Sequence, residues 1–383
     1  MALTHGVNDA YTAFLHPLLP RLMGELGLSI ALAATLAMTL SIAGTLAQPV
    51  FGYLSDRYGH LPFVILGPLC SGVFFSLIGV APGFAGLLVL VTLGGLGSAM
   101  FHPPGASLAT RTSEGRGSGR RASLFSFGGS AGYAAGPLVA VALVSWRGLG
   151  GLWIAILPAL GVALALWLLL PRDAAHRPDL APPPPGRLLA HLRGPLGLVF
   201  GISAASAFVQ RTFLTLEPIV IADDGGTEAV GAFTLSVYLA GQAVGTLVGG
   251  SLGDRVDRRV LLIALALLAF PAHVLAFVLS PGTSGAFAAA ASAGFFVMAI
   301  VPTVTVLSQE IVPEGASASY GLVVGLAWAL ASASVLVIGA LGDIVGARPA
   351  ALTATPALVL AALLAAHPSL GAYRKPTVAT STA

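Results

Sequence analysis

Four polar residues near the beginning of the chain recur every three or four positions. His5, Asp9, Thr12 and His16 are separated by four, three and four residues, so at 3.6 residues per turn they would share one face of a helix. An ionisable group inside a lipid-embedded helix marks a functional site by default. We predict that Asp9 carries a proton with His5 beside it, and that Asp9, Thr12 and His16 contact a substrate. The alternative for both histidines is contact with lipid headgroups or water near the helix ends.

His102 is a second candidate for proton transfer. It precedes Pro103 and Pro104, which lack amide protons, so carbonyls one turn earlier would lose their helical partners. By rise per residue, His102 would lie about 9 Å from one end of its span, at a depth similar to that of Asp9. An imidazole beside free carbonyls can bind a substrate or relay a proton. The alternative is a structural kink with a hydrogen-bonded histidine.

A third group of polar residues, Gln210, Arg211 and Glu217, lies in one apolar segment of the second half. An arginine inside a membrane usually faces a cavity or an acidic partner, and its planar fork suits a phosphonate or a carboxylate. We therefore predict that all three residues bind substrate. In the alternative, Arg211 reaches the outer membrane interface or pairs with Glu217.

The elements that position these residues follow from composition. Charged residues are 9% of the chain and hydrophobic ones 56%, whereas soluble proteins carry about 25% charged residues. The apolar runs match the roughly 20 residues that cross a bilayer as a helix, and they lack the alternation of barrel strands. We predict an all-α polytopic membrane protein. Its twelve spans are expected over residues 3–24, 31–53, 62–81, 86–108, 123–144, 151–171, 196–219, 229–252, 260–280, 285–309, 319–341 and 350–367.

A polar stretch divides the chain into two six-helix halves, residues 1–171 and 196–367. The linker between them, 172–195, contains four consecutive prolines, which cannot continue a helix and suit an extended connection. Residues 368–383 form a tail. Fourteen basic residues fall on the side of the termini and three on the other side, so both termini are expected in the cytoplasm, in a multi-pass protein of the inner membrane. The net charge of +3 therefore reflects topology, and no nucleic-acid partner is expected.

The two halves repeat each other at a nearly constant offset. Asp56 recurs as Asp254 at an offset of 198, and Pro103 recurs as Pro302 at an offset of 199. Six spans return the chain to the same side, so the repeats are parallel. Parallel repeats with a site near the membrane midplane are typical of alternating-access transporters.

Short motifs support this interpretation. Residues 52–59 (GYLSDRYG) resemble the loop 2–3 signature of the major facilitator superfamily, and residues 249–259 (GGSLGDRVDRR) resemble its second copy. Residues 132–137 (GYAAGP) are similar to the span-5 motif of the family's antiporters. Within that family, residues 5–9 (HGVND), 16–20 (HPLLP) and 101–103 (FHP) look like the fosmidomycin-resistance group. The resemblance implies twelve helices in two parallel six-helix repeats and proton-coupled efflux of small drugs.

Gating and bending are expected at further positions. A carboxylate beside an arginine at a helix end can hold one conformation closed by pairing with a neighbouring helix, although the arginines would also anchor the topology. The predicted gating residues are Asp56, Arg57, Asp254 and Arg255. The predicted helix kinks are at Pro103, Pro104, Gly136 and Pro137.

The predicted function is proton-coupled efflux of a small drug-like or anionic, phosphonate-like compound by a monomeric antiporter. Its expected partners are substrate, protons and the lipid bilayer, and no cofactor is expected beyond the proton gradient. The chain has no P-loop and no G-x-S-x-G motif with triad partners, so an enzyme is not expected. One alternative is a divalent metal-ion transporter that uses the histidines and Asp9. His5 and His16 would lie about 16 Å apart along the helix and cannot share one ion, so no metal site is predicted. A non-transporting membrane sensor or scaffold is the other alternative.

Overall fold

The computed structural model describes residues 1–110, 118–170, 191–312, 319 and 321–373. Within these ranges every regular element is a helix. Eleven helical segments in the described part of the chain are long and apolar enough to cross a membrane by length and composition. Span 1 is the twelfth and consists of two shorter helices in succession.

The helices agree with the twelve predicted spans to within a few residues. In chain order, spans 1 to 6 consist of Ala2–Thr12 with Leu15–Leu26, Ile30–Leu46 with Gln48–Tyr58, His60–Ser76 with the 3-10 turn Ile78–Val80, Phe84–Thr110, Ser118–Arg147, and the 3-10 segment Leu149–Ala155 with Ile156–Leu169. Spans 7 to 12 consist of Pro195–Asp223, Glu228–Gly253, Arg258–Val278, Ser284–Ile311, the π-helical Gly321–Leu326 with Ala327–Val345, and Ala347–Ala354 with Ala357–Ala365.

Two short 3-10 helices lie beside the spans. His191–Arg193 occupies the end of the predicted linker, and Pro368–Tyr373 occupies the start of the predicted tail. The four prolines at 182–185 and the basic residues of the tail lie outside the described residues, so the extended linker remains a prediction.

Span 1 is broken near its middle, where a continuous helix over 3–24 was predicted. The first helix ends at Thr12 and the second begins at Leu15. Pro17 follows this break, and a proline both lacks an amide proton and clashes with the carbonyl four residues earlier, here that of Ala13. Pro17 thus leaves the Ala13 carbonyl at this break without a helical partner, and the break separates the segment of His5 and Asp9 from that of His16.

Glycines bring spans 1 and 5 into close contact. A side chain on Gly128 would overlap the carbonyl of Ala2, one on Gly132 that of Gly6, and one on Gly136 that of Ala10. These three glycines are four residues apart and therefore line one face of span 5. Small residues at this spacing let helix backbones approach closely in a membrane. The contact holds the first helix of span 1 at a defined rotation against span 5.

Among the described residues, the hydrophobic cluster that joins the two halves lies on one side of the protein. One hydrophobic cluster combines both halves, including Leu18 and Leu36 of the first half with Val220 and Phe277 of the second. These residues lie in the ends of the spans that face away from the termini. On the side of the termini, the described residues form two separate clusters, one for each half. The structure is therefore closed on the side away from the termini and open on the side of the termini.

Polar contacts between the halves reinforce the closed side. Arg21 Nε lies 2.5 Å from Glu228 Oε1. The Asp343 carboxylate accepts the backbone amides of Ile30 and Ala31 at 2.6 and 3.2 Å, which places a negative charge at the positive N-terminal end of span 2. These contacts must break before the closed side can open.

Candidate functional site

A cavity of about 820 Å³ lies between the two halves. Spans 1, 2, 4 and 5 line one wall, and spans 7, 8, 10 and 11 line the other. The predicted site residues among the lining are His5, Asp9, Thr12, His16, His102, Pro103, Gln210 and Arg211. The sequence-based candidates from both halves therefore meet in one space.

Three of these residues form a compact triad, which consists of His5, Asp9 and His102. His5 Nε2 lies 3.1 Å from Asp9 Oδ2, and His102 Nε2 lies 3.3 Å from Asp9 Oδ1. The two Nε2 atoms are 3.3 Å apart. These distances place Asp9 and His102 side by side, at the similar depth that the rise per residue predicted.

The other nitrogen of each ring is occupied by the backbone. His5 Nδ1 lies 2.8 Å from the Phe125 carbonyl oxygen, and His102 Nδ1 lies 2.8 Å from the Ser98 carbonyl oxygen. A carbonyl oxygen only accepts, so each Nδ1 carries a proton and donates it. In the neutral rings, both Nε2 lone pairs then point at each other and at the carboxylate. Three acceptors are stable at these distances only with a proton or another cation between them.

Neighbouring residues fix the positions of the triad. The His5 ring stacks on Phe125 with ring centroids 4.0 Å apart, and Gly129 leaves room for the imidazole because a side chain there would collide with it. Asn8 Nδ2 donates to Asp9 Oδ1 at 3.0 Å. Sequence reasoning missed Phe125, Gly129 and Asn8. The repeated glycine spacing of span 5 was the signal that could have placed span 5 beside the triad.

Thr12 and His16 line the cavity but stand outside the triad. Thr12 Oγ1 donates to the backbone oxygen of Asp9 at 2.8 Å and does not bond the carboxylate. His16 is 5% exposed, and its Nδ1 has no hydrogen-bond partner among the described residues. His5, Asp9 and His102 offer ligand atoms within 4.8 Å of one another, a group that does not include His16. The spacing argument against a metal site therefore applies to His16 but not to this triad.

The opposite wall presents hydrogen-bond donors. The Arg211 guanidinium carbon lies 5.3 Å from the centroid of the Trp328 ring, which is a cation–π distance. No described carboxylate pairs with Arg211, and its Nε is buried without a hydrogen-bond partner in this part of the chain. Beside it, Gln210 Nε2 donates to Gln242 Oε1 at 3.1 Å. This wall carries an unneutralised positive charge that suits an anionic ligand.

Glu217 lies away from this cavity. Its side chain is 3% exposed and does not line the cavity. Within the described residues it forms no ion pair with Arg211, so the alternative in which the two residues pair is not found. Glu217 belongs to the closed end of span 7, and its predicted role in substrate binding stays a prediction.

Among the predicted gating residues, Arg57 makes local contacts. Arg57 donates to Tyr53 at 3.2 Å and lies over the Tyr58 ring at 5.6 Å, both on its own helix. The Asp56 side chain lies outside the described part of the structure, and Asp254 and Arg255 are exposed at the end of span 8. On this open side, no ion pair between described residues joins the two halves. The role of these four residues in gating stays a prediction.

The prolines predicted to mark kinks lie inside uninterrupted helices. Pro103 and Pro104 fall within Phe84–Thr110, and Pro137 falls within Ser118–Arg147. Both helices continue through these prolines, and the bends at these positions stay a prediction. Gly136 serves close packing against span 1, as described above.

Comparisons with known proteins agree with this architecture. The family model of the Major Facilitator Superfamily matches residues 1–333 and 196–368. The fosmidomycin resistance protein of Escherichia coli (strain K12) is 26% identical over 90% of this chain and 85% of its own length. An uncharacterized MFS-type transporter of Bacillus subtilis (strain 168) is 28% identical over 91% of this chain and 87% of its own.

Solved structures show the same fold. A bacterial homolog of the human lysosomal transporter Spinster, inward-facing and unoccupied, aligns with a TM-score of 0.78 and 19% identity over 95% of both chains. A nucleoside transporter aligns with a TM-score of 0.77 and 12% identity over 95% of this chain and 97% of its own. The chain therefore belongs to the Major Facilitator Superfamily and is a multi-pass membrane transporter rather than an enzyme.

Proposed function

We propose that the protein is a proton-coupled antiporter that exports a small drug-like or anionic, phosphonate-like compound by alternating access. The observation that carries this proposal is the pairing of two unlike walls in one cavity. The triad of His5, Asp9 and His102 can hold protons, and the unpaired Arg211 on the opposite wall can hold an anion. The triad belongs to the first half and Arg211 to the second, and the two halves move against each other in this mechanism.

The proposed cycle begins in the state described here. An anionic compound enters from the open side and binds beside Arg211 and Trp328. The open side then closes, and the opposite side opens as Arg21 separates from Glu228 and Asp343 leaves the end of span 2. The compound leaves on that side and the triad takes up a proton there. The unloaded carrier returns with this proton to the state described here, and the proton is released as the next compound binds.

The proton is proposed to reside on the triad because two ring nitrogens and a carboxylate, all acceptors, require a cation between them. The groups in contact with Asp9 are His5, His102 and the amide of Asn8, and Tyr133 on span 5 lines the same cavity. None of these groups is a fixed neighbouring cation, so charge at the triad depends on the protons it holds. Return of the unloaded carrier would require this proton, which links export to the proton gradient.

The proposed setting is the inner membrane, with both termini in the cytoplasm and the protein acting as a monomer. The bias of fourteen basic residues to three supports this orientation, and it makes the open side the cytoplasmic one. The proton gradient is the energy source, with no bound cofactor and no nucleic-acid partner. The similarity to a protein named for fosmidomycin resistance supports export of a phosphonate.

Transport of a divalent metal ion is the second candidate. The convergence of His5, Asp9 and His102 favours it. The positive charge of Arg211 in the same cavity opposes it, because a cation that crosses the cavity would pass an unpaired guanidinium. A compound panel that includes fosmidomycin and metal salts distinguishes the two candidates.

The deciding experiment uses purified protein in liposomes with an imposed pH gradient. We expect a phosphonate to be driven against its own gradient by the wild type, and the drive to vanish when the pH gradient is dissipated. Downhill exchange that ignores the pH gradient would contradict proton coupling. Accumulation of metal ions without phosphonate flux would replace the proposal with the second candidate.

A further inference from the structure

We propose that the triad of His5, Asp9 and His102 is also a binding site for a divalent transition-metal ion of the Zn²⁺, Co²⁺ and Ni²⁺ class. The ion would sit among His5 Nε2, the Asp9 carboxylate and His102 Nε2. Bound there, it would block proton-coupled export, a consequence that rests on the proposed function. The binding site itself rests on geometry alone.

The distances match a tetrahedral centre. Zn²⁺ binds imidazole nitrogen and carboxylate oxygen at about 2.0–2.1 Å in tetrahedral sites. Bonds of that length at the tetrahedral angle place neighbouring ligand atoms about 3.3 Å apart. The two Nε2 atoms lie 3.3 Å apart, His5 Nε2 lies 3.1 Å from Asp9 Oδ2, and His102 Nε2 lies 3.3 Å from Asp9 Oδ1, so each histidine nitrogen has this spacing to the other and to one carboxylate oxygen. An ion could therefore enter without large movement of the ligands.

Both rings already have the orientation that a metal site requires. Metal-ligating histidines almost always donate the other ring N–H to a carbonyl or a carboxylate, which fixes the tautomer. His5 donates to the Phe125 carbonyl and His102 to the Ser98 carbonyl, each at 2.8 Å. The two Nε2 lone pairs are therefore directed at the centre of the triad before any ion arrives.

A fourth coordination position is open to the cavity. The His5, Asp9 and His102 side chains are 10%, 17% and 27% exposed, and all three residues line the cavity. A three-ligand site with one open position would hold water or an anionic group as its fourth ligand. The site is therefore accessible from the open side.

The ligand set selects the class of ion. Imidazole suits Zn²⁺, Co²⁺ and Ni²⁺, whereas Mg²⁺ and Ca²⁺ prefer sites built from oxygen ligands. The single cysteine, Cys70, is not part of the group, so a thiolate-dependent ion is not favoured. The ion would occupy the same lone pairs that the proton uses, and this explains the expected block of export.

The test measures binding directly, with the full chain purified in detergent through a tag that contains no histidine. Co²⁺ is titrated in, and its visible absorption reports tetrahedral coordination. We expect a visible absorption band that saturates at about one Co²⁺ per chain. Added Zn²⁺ should displace the Co²⁺ and abolish the band. His5→Gln, His102→Gln and Asp9→Asn should each weaken binding by at least about 10-fold, a loss seen even for outer-shell changes.

Two histidine variants serve as matched controls. His16→Gln alters the same span and the same cavity, and His367→Gln alters an exposed histidine. Both should keep the wild-type Co²⁺ affinity. Thermal unfolding and size-exclusion profiles establish that each variant is folded, and the comparison is made among folded variants. A saturable wild-type band that survives in His102→Gln, or no saturable band at all, would overturn the site.

A transport arm separates this inference from the proposed function. Zn²⁺ at the concentration that displaces Co²⁺ should inhibit pH-driven export in proteoliposomes, and a chelator should restore it. Co²⁺ binding to a protein that shows no pH-driven flux would overturn the block of export while the site stands. Normal pH-driven flux in a protein that binds no Co²⁺ would overturn the site while the proposed function stands.

Discussion

The Nε2 atoms of His5 and His102 lie 3.3 Å apart, although the two residues are separated by 97 positions in the chain. Each ring donates its other nitrogen's proton to a backbone carbonyl, so neither ring can turn away without losing that hydrogen bond. Asp9 completes the triangle. The site thus combines two ring nitrogens and a carboxylate, all hydrogen-bond acceptors, that packed helices hold together.

Replacement of Asp9 by asparagine should abolish pH-driven transport while expression stays near normal. A carboxamide keeps the shape of the side chain but cannot cycle a proton. The measurement is substrate accumulation against its own gradient in proteoliposomes. If Asp9→Asn still concentrates substrate, Asp9 does not carry the proton.

Loss of the His102 ring should reduce proton-driven flux by about 10²-fold, the effect typical of a positioned acid–base group. His102→Gln should recover part of substrate binding, because an amide can still hydrogen-bond, but little of the proton-linked step. Affinity and flux are measured separately for His102→Ala and His102→Gln. Wild-type flux in His102→Ala would show that the residue is structural only. His367→Ala, at an exposed position, is the control.

Arg211 should control affinity for anionic compounds. Arg211→Lys keeps the charge but loses the planar fork, so KM for a phosphonate should rise by about 10-fold or more, as expected for loss of charge-assisted hydrogen bonds of about 1.5–3 kcal/mol. Arg211→Gln should be worse. Arg147 is an exposed arginine on the closed side, and Arg147→Gln should leave the KM for the phosphonate unchanged. Equal KM in wild type and Arg211→Gln would move the anion site elsewhere.

The packing of span 5 against His5 should be required for proton-driven flux, as the triad itself is. A methyl group at Gly129 would collide with the His5 imidazole, so Gly129→Ala should displace the ring and lower proton-driven flux. Gly161→Ala is the matched control, since its added methyl group would meet no atom within 4 Å. Equal flux for the two variants would mean that His5 is not held by span 5.

The contact of Asp343 with the start of span 2 should favour the closed state described here. Asp343→Ala removes a charge at a helix N-terminus, worth about 0.3–1 kcal/mol at an exposed site, and should raise the outward-open population by about two- to five-fold. Spin labels at Gly24 and Gly225, one in each half on the closed side, report the separation. Glu25→Ala, at an exposed acid on the same side, should leave the distance distribution unchanged.

The proposed orientation predicts the pattern of cysteine labelling. In a Cys70→Ser background, a cysteine at Gly225 should react with an impermeant reagent added outside intact cells, because Gly225 is exposed on the side away from the termini. A cysteine at Pro184 should react only after permeabilisation. Reversed labelling would place both termini outside.

Much of the architecture follows from the sequence alone. The length of each apolar run is set by the thickness of the bilayer, so twelve spans could be located before any contact was known. The offset of 198 between Asp56 and Asp254 nearly equals the offset of 199 between Pro103 and Pro302, and this agreement predicted the two halves. The cost of an ionisable group in lipid singled out Asp9, His102 and Arg211, and all three line the cavity.

Only the tertiary structure decided which polar groups meet. His5 and His16 share one face of a predicted helix, so periodicity could not determine which of them joins His102. The break at Thr12 and the glycine contact with span 5 decided it, because they set the rotation of the first helix of span 1. The position of Glu217 on the closed side, outside the cavity, likewise depends on how the two halves pack in this state. Local periodicity encodes helices and their faces, whereas contacts between distant spans depend on the tilt and rotation that packing imposes.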